Sequence, residues 1–435
     1  MRVNVPVIFQ ENLTDSKNLS GKPVDIKLHN QRLVISLLER KKILSAGELS
    51  SLTALSKTTV SKILAELCKQ DIVCSAGKGE STTEGGKKPE LFRINAGLAV
   101  TVVLSMQRRN VLDCAVIDLG REILYREKYT LTDGLAYPAL TQKMREALTS
   151  VHECGALSGK RVCGVAVAYN GVVNRDRGEI LYPPQSAHAS FYPIRRDLSG
   201  LFSAEIPISI NNACHYAGYA ELLFENNANV EKLGVISCGE SVSGCLLTNQ
   251  QMLPGCGGVV GEFGHLIVDP RADTRCYCGC RGCIESLISE RAIVASAGAM
   301  SHSFPFSSVA RKAQEQELCV ETLLQAAFGH DFFAQEVLAP VIQYLAIMIR
   351  SISCLNDVSK VIIQGMYARA GEDFLEMIRE ELRKYNRLAL HSEPTVEFSQ
   401  YSVKGEEEDE YACICGAGYA MSNLYLDAQI GRAEN

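Results

Sequence analysis

Residues 261–285 read GEFGHLIVDPRADTRCYCGCRGCIE. Four of the chain's 17 cysteines, Cys276, Cys278, Cys280 and Cys283, fall within eight positions of this stretch. Such density marks a cluster. With His265 upstream it offers the pattern H-x10-C-x-C-x4-C, one imidazole and three thiolates. Those soft donors in that number suit a closed tetrahedral Zn²⁺ site. Gly279 and Gly282 let the backbone turn tightly enough for the donors to converge. A run of buried free cysteines would sit in an apolar stretch, whereas this one is Gly-rich and polar.

Composition bounds the setting. A chain of 435 residues with 46% apolar content has ample core for two or three globular domains. No uninterrupted apolar run reaches 18 residues, so no membrane span is expected. The first residues, MRVNVPVIFQENLTDSK, show no apolar stretch of signal-peptide length. A cytoplasmic location is therefore expected, where thiols stay reduced and a Cys cluster reads as metal-binding. Net charge is divided unevenly. Residues 1–95 carry 15 Lys and Arg against 10 Asp and Glu, and the rest of the chain carries 29 against 40. A basic head on an acidic body suggests that the head meets a polyanion.

The head supports that expectation. Residues 1–27 show little periodicity and read as a flexible tail. In HNQRLVISLLERKK, Leu33, Val34, Leu37 and Leu38 stand at helical spacing. Ser45 and Glu48 have the S-x-x-E spacing of a capping box. A further helix starts at Ser56 and places Val60, Ile63, Leu64 and Leu67 on one face. Lys57, Thr58, Ser61 and Lys62 lie on the opposite face. Three short helices in this order, the last presenting hydroxyls and lysines, fit helix-turn-helix recognition of double-stranded DNA. Two β-prone segments, IVCSAG and LFRIN, then flank the polar loop KGESTTEGGKKPE. That is the layout of a wing, with Lys87 and Lys88 on a glycine-rich approach to the phosphate backbone. Residues 28–95 are thus expected to form a winged helix-turn-helix domain.

From residue 97 the pattern becomes α/β. Three strands, a helix, a strand and a strand running into a helix occupy 97–225. A similar set recurs over 226–435, ending in the Gly-rich helix 412–426. Two similar lobes imply a cleft between them, the usual place for a ligand.

These features together resemble the ROK family, which groups sugar-responsive repressors with sugar kinases. The resemblance is carried by LSKTTVSKILAEL with GGKKP, by GEFGH…CYCGCRGCIE, and by Asn211-Asn212-Ala213. It covers the chain from residue 28 onward. It implies a two-lobed, actin-like ATPase (ribonuclease H-like) body and a homodimer or dimer of dimers. It further implies a structural zinc on His265, Cys276, Cys278 and Cys283, with Cys280 outside the ligand set. The family's sugar pocket falls on Asn211, Asn212, Glu262, His265 and Glu285. Carboxylates and amides accept from and donate to vicinal hydroxyls. His265 is expected to give one ring nitrogen to zinc and offer the other to ligand.

Against the kinases of that family the chain shows four departures. Their catalytic base is the Asp of N-D-A, and Asn212 stands in its place, which cannot take a proton. The first phosphate loop, D-x-G-x-T, is replaced by MQRRN. The second, CGESVSG, carries Glu240, whose charge would repel a triphosphate. A late Gly-Gly is Gln364-Gly365. Phosphoryl transfer needs all these parts, so neither ATP binding nor enzymatic turnover is expected. The resulting expectation is a repressor bound to a pseudo-palindromic operator and sensing a sugar or sugar derivative.

Overall fold

The structure is a computed structural model that describes residues 23–80, 88–183, 188–253, 255, 257–385 and 393–432. The first helix, α1, spans Pro23–Lys41, so ordered structure begins before residue 28. The earlier part of the expected tail, and Lys87 of the expected wing, lie outside the described residues. Strand β1 (Leu44–Ser45) leads into α2 (Ala46–Thr53). The expected capping box is formed: Glu48 N donates to Ser45 Oγ at 3.2 Å, and Ser45 N donates to Glu48 Oε2 at 2.7 Å. Helix α3 (Lys57–Lys69) is capped by Ser56, whose Oγ accepts from Thr59 N at 3.1 Å. Its Val60, Ile63, Leu64 and Leu67 are buried with Val34 and Leu38 of α1. Strands β2 (Val73–Lys78) and β3 (Glu90–Ile94) complete a three-stranded antiparallel sheet in the order β1-β3-β2.

Two five-stranded sheets follow. The first contains β4 (Ala99–Met106), β5 (Val111–Asp118), β6 (Ile123–Thr130), β7 (Arg161–Tyr169) and a fifth strand, Ile208–Asn212. Between the last two lies a small antiparallel sheet of β8 (Val173–Asn174), β9 (Glu179–Tyr182) and β10 (Ser190–Tyr192), so the fifth strand is β11. The second large sheet contains β12 (Lys232–Cys238), β13 (Val242–Thr248), β14 (Gln251–Met252), β15 (Lys360–Gly365) and β16 (Thr395–Phe398). The topology repeats. In each large sheet three strands form an antiparallel meander, and two more add in parallel beside its first strand, in the orders β6-β5-β4-β7-β11 and β14-β13-β12-β15-β16. Central strands such as β4, buried along their whole length, carry near-continuous apolar runs, as strands covered on both faces must.

The closing helix runs Glu406–Arg432, longer than 412–426 at both ends, and it packs on β4, β7 and the helix Ala213–Glu221. Its partner sheet is thus the first, although it follows the second in sequence. One apolar cluster joins Val103 and Ala166 of the first sheet, Val235 and Ile362 of the second, and Ala217, Cys413 and Ala417 of these two helices. Glycine makes that crossing possible. A Cβ on Gly416 would stand 1.7 Å from Tyr216 O, so any larger residue would separate the two helices. Farther along, Leu426 and Ile430 enter the core of the head beside Val34, Ile35 and Leu38. Arg32 Nη2 pairs with Asp427 Oδ2 at 2.8 Å, and Lys42 Nζ donates to Gly120 O at 3.0 Å.

Helix Phe332–Asn356 is long and apolar enough, by length and composition, to cross a membrane, which the sequence reading did not anticipate. In this fold its Val337, Val341, Leu345, Ile349 and Ile352 are buried in the core of the second sheet. A helix packed against a sheet on one side and helices on others becomes apolar around most of its girth.

Candidate metal centre and ligand cleft

His265 ends a short 3-10 turn (Phe263–His265) and the cysteines follow on a tight hairpin. The hairpin is closed by Cys276 N donating to Cys280 O at 2.9 Å and Gly279 N donating to Cys276 O at 3.0 Å. It converges the donor atoms of His265, Cys276, Cys278 and Cys283 to within 4.8 Å of one another. Cys276 Sγ lies 3.6 Å from His265 Nδ1, and Cys278 Sγ lies 3.6 Å from Cys283 Sγ. A tetrahedral ion with Zn–S bonds of about 2.3 Å separates its sulfurs by about 3.8 Å, so the donor set fits zinc. Burial pushes His265 below the ordinary imidazole range, which favours the neutral ligating ring. Cys280 is exposed and outside the group of four.

The second ring nitrogen of His265 does not face open space. Its Nε2 lies 2.8 Å from Tyr277 Oη and 3.9 Å from Glu262 Oε2. Tyr277 was missed in the sequence, although its place between two cysteine ligands was the available signal. Zinc held at Nδ1 would fix the tautomer, so that Nε2–H would donate to Tyr277 Oη and leave the tyrosine hydroxyl hydrogen for another acceptor.

Glu262 faces Asn212, whose Nδ2 lies 3.5 Å from Glu262 Oε1 and 3.1 Å from Gly171 O. Asn212 also caps the helix Ala213–Glu221 through Cys214 N at 2.8 Å. Glu285 is buried, and its Oε2 accepts from Val242 N at 2.6 Å. Gly264 permits this: a Cβ there would meet Val242 O at 2.3 Å and Glu285 Oε2 at 3.0 Å. Burial pushes the Glu262 carboxyl up to about 7. Burial, opposed by the Val242 N–H and Arg291 and assisted by Glu262, pushes Glu285 up to about 7 as well. Two buried carboxyls thus stand in one region with the Asn212 amide and the Tyr277 phenol.

Asn211 is buried, and its Oδ1 accepts from Asn212 N at 3.0 Å and meets His215 Nδ1 at 2.9 Å. His215 Nε2 in turn lies 3.0 Å from Val260 O. Asn211 is thus engaged in bracing the turn that presents Asn212 and Gly261, because its carbonyl points into the protein. Tyr182 and Tyr192 are likewise engaged within the protein. Tyr192 stacks on Tyr137 at 4.2 Å, and Tyr182 Oη donates to Leu135 O at 2.6 Å.

The segments matching the kinase phosphate loops come together at a neighbouring cleft of about 200 Å³. Gln107, Arg108, Gly239, Glu240, Gly365 and Met366 line it. Arg109 N donates to Glu240 Oε2 at 3.0 Å. Arg369 pairs with Glu321 at 2.8 Å and Asp409 at 3.3 Å, and Glu410 binds Arg126 at 2.5 Å and Lys128. Five carboxylates and two arginines line the cleft, a balance that opposes a polyanion. Asn170, also unforeseen, spans the two halves here, with Ser241 Oγ donating to its Oδ1 at 2.9 Å.

On the head, Lys57, Thr58, Ser61 and Lys62 are all exposed on α3, opposite its buried stripe, and Lys88 is exposed at the start of the return strand.

The profile of the ROK family matches residues 109–417. The xylose repressor of Caldicellulosiruptor bescii is 23% identical over 377 residues, covering 86% of this chain and 92% of that protein. A ROK family transcriptional regulator described as a homolog of the Escherichia coli Mlc protein superposes with a TM-score of 0.67 at 23% identity, covering 91% of this chain and 98% of the other. A ROK family glucokinase from Streptomyces griseus, solved with glucose and AMPPNP, superposes at 0.61 and 20% identity, covering 74% of this chain and 99% of the other. The body therefore has the actin-like ATPase fold shared by regulators and sugar kinases.

Proposed function

The chain belongs to the ROK family, and we propose that within it this protein is a sugar-responsive transcriptional repressor with a sensor body that performs no phosphoryl transfer. The observation that carries the reading is the exposed face of α3: Lys57, Thr58, Ser61 and Lys62 stand free above a buried stripe, on a head joined to a two-lobed body. The head is read as a winged helix-turn-helix. Lysines and hydroxyls at the first turn of α3 reach phosphates and base edges in a major groove. Two copies in a homodimer, or in a dimer of dimers, match a pseudo-palindromic operator in the cytoplasm.

The effector is a sugar or sugar derivative. Glu262, Glu285 and Asn212 supply acceptors and donors for its hydroxyls, with Tyr277 beside His265. Zinc on His265, Cys276, Cys278 and Cys283 is structural: when bound, it pins the wall that carries His265 and Glu285. Turnover is unexpected because Asn212 cannot act as base and the cleft beside it is lined by carboxylates. The closing helix supports a route between sensor and head, since it touches Arg369 through Asp409 at one end and Arg32 through Asp427 at the other. For switching, the sugar must bind the DNA-competent and DNA-incompetent arrangements with different affinity.

Replacing Lys57 and Lys62 with alanine is expected to weaken operator binding and to reduce the slope of log affinity against log salt by about 2. Unchanged binding would exclude α3 as the recognition helix. A thermal-shift screen of neutral sugars and sugar phosphates should find a ligand that stabilises the chain by about 2.7 kcal/mol at a hundred times its Kd. Sugar-dependent release of ADP from ATP and Mg²⁺ would overturn the non-enzymatic reading.

A further inference from the structure

The zinc hairpin holds one more thiol than its tetrahedral site takes. Cys280 is exposed, as is Cys278, whereas Cys276 and Cys283 are buried. Cys280 does not share the convergence of the four donors, yet it lies on the same hairpin, two residues after Cys278 and three before Cys283. Its backbone is fixed in that position by Cys276 N on Cys280 O at 2.9 Å, and Arg275 and Arg281 form a bridge across the same hairpin. Cys280 and Cys283 have C-x-x-C spacing, a separation that a disulfide spans readily. A solvent-facing thiol is thereby held on the hairpin that carries three of the candidate ligands, with the buried Cys283 three residues on.

We propose that Cys280 makes the zinc hairpin sensitive to hydroperoxides: it is oxidised first and then takes Cys283 out of the metal site as a disulfide. A hydroperoxide transfers its terminal oxygen to the Cys280 sulfur. The O–O bond breaks, Cys280 becomes a sulfenic acid, and water or the parent alcohol leaves. The Cys283 sulfur attacks the sulfenic sulfur, the S–O bond breaks, and the departing hydroxide takes a proton from solvent to leave as water. The two sulfurs together lose two electrons, which the peroxide accepts. Only His265, Cys276 and Cys278 then remain for the metal, and a closed structural site becomes an open, weaker one.

The structural consequence falls on the ligand wall. Cys283 pairs with Ile267 in an antiparallel bridge, and Ile284 N donates to Leu266 O at 3.0 Å. Glu285 follows immediately, with its carboxylate on Val242 N. Displacing Cys283 therefore disturbs the segment that orients both His265 and Glu285. The inference rests on the zinc reading above. It adds to that reading an oxidant input to a site otherwise set by sugar alone.

The test uses the purified full-length chain. Metal analysis first counts zinc per chain. Hydrogen peroxide is then added with a chromogenic zinc chelator, and the oxidised protein is digested without reduction for peptide mass analysis. Expected is zinc release with a Cys280–Cys283 cross-link lighter by two hydrogens, reversed by dithiothreitol and fresh zinc. Cys280→Ser should release zinc at least about tenfold more slowly, and Cys319→Ser, at an exposed cysteine elsewhere, should match the natural chain. Because Cys280 lies outside the ligand set, Cys280→Ser should retain the starting zinc content. A purified chain with no zinc would sink the metal reading itself. Zinc present but released equally fast from Cys280→Ser, or a disulfide that omits Cys280, would sink this inference alone.

Discussion

The wall beside the Cys/His hairpin and the neighbouring cleft sit on the same fold, yet their polar groups are arranged in opposite ways. On the wall, Glu262, Asn212, Tyr277 and His265 face one another at 2.8 to 3.9 Å, and two carboxyls are held near neutrality by burial. In the cleft, charges are consumed internally: Arg369 by Glu321 and Asp409, Glu410 by Arg126 and Lys128, and Glu240 by the backbone of Arg109. A region whose polar atoms are already paired with each other offers little to a ligand. One with several hydroxyl-acceptor groups at a common point can exchange them for a sugar. Under the proposed function, this contrast is what suits a kinase-like fold to sensing.

The comparison can be broken most severely at the metal. Cys283→Ser should abolish zinc binding and lower the unfolding free energy by about 4 kcal/mol or more, the scale of losing a structural metal. Calorimetry with metal analysis checks this, and an unaltered transition would remove zinc from the account of the wall. Next in size is Glu285→Ala. It removes one charge-capable acceptor and should weaken sugar binding about 10- to 100-fold, measured by titration calorimetry with whichever sugar the screen yields.

Glu221 sharpens the cleft side. It is buried behind Gln364, whose Nε2 donates to its Oε1 at 2.7 Å, with Ser399 Oγ donating at 2.5 Å. Burial pushes its carboxyl up to about 7, against the lowering effects of Ser399 and Gln364. A carboxyl raised in the folded state contributes stability that is fully present below its unfolded value. That contribution is lost as pH rises through about 7. Glu221→Gln should therefore raise stability at pH 8 by roughly 2–3 kcal/mol while leaving it little changed at pH 4. Denaturation at the two pH values decides, and an equal effect at both would contradict the assigned cause. The smallest effect is expected from Arg369→Ala, at about 1–2 kcal/mol of stability. Sugar affinity should stay within about twofold, because Arg369 serves the cleft and not the wall. A large loss of sugar binding would merge the two regions into one site.

Much of this was legible from local pattern. The convergence of the four candidate metal donors was readable because a tight hairpin can bring close-spaced side chains together with little help from the rest of the chain. The helices of the head were readable because Ser45, Glu48 and Ser56 are capping residues at local spacing and Val60, Ile63, Leu64 and Leu67 repeat with the helical period. Asn211 and Asn212 stand one position apart on a strand end. Which of two adjacent amides faces the cleft depends on His215 and Val260, one a turn of helix away and the other 49 residues on. Tyr277 was missed because its value lies in the ring nitrogen it meets.

By itself the sequence determined the donor chemistry of the hairpin, the lysines and hydroxyls of α3, and an asparagine at position 212. Each depends on residue identity and short-range spacing. Tertiary structure alone decided that the closing helix joins the first sheet and the head, that Cys280 stays outside the group of four donors, and that the segments matching the kinase phosphate loops meet in a cleft of self-paired charges. Those facts depend on contacts between residues far apart in the chain, whose pairing is set by packing and not by local periodicity.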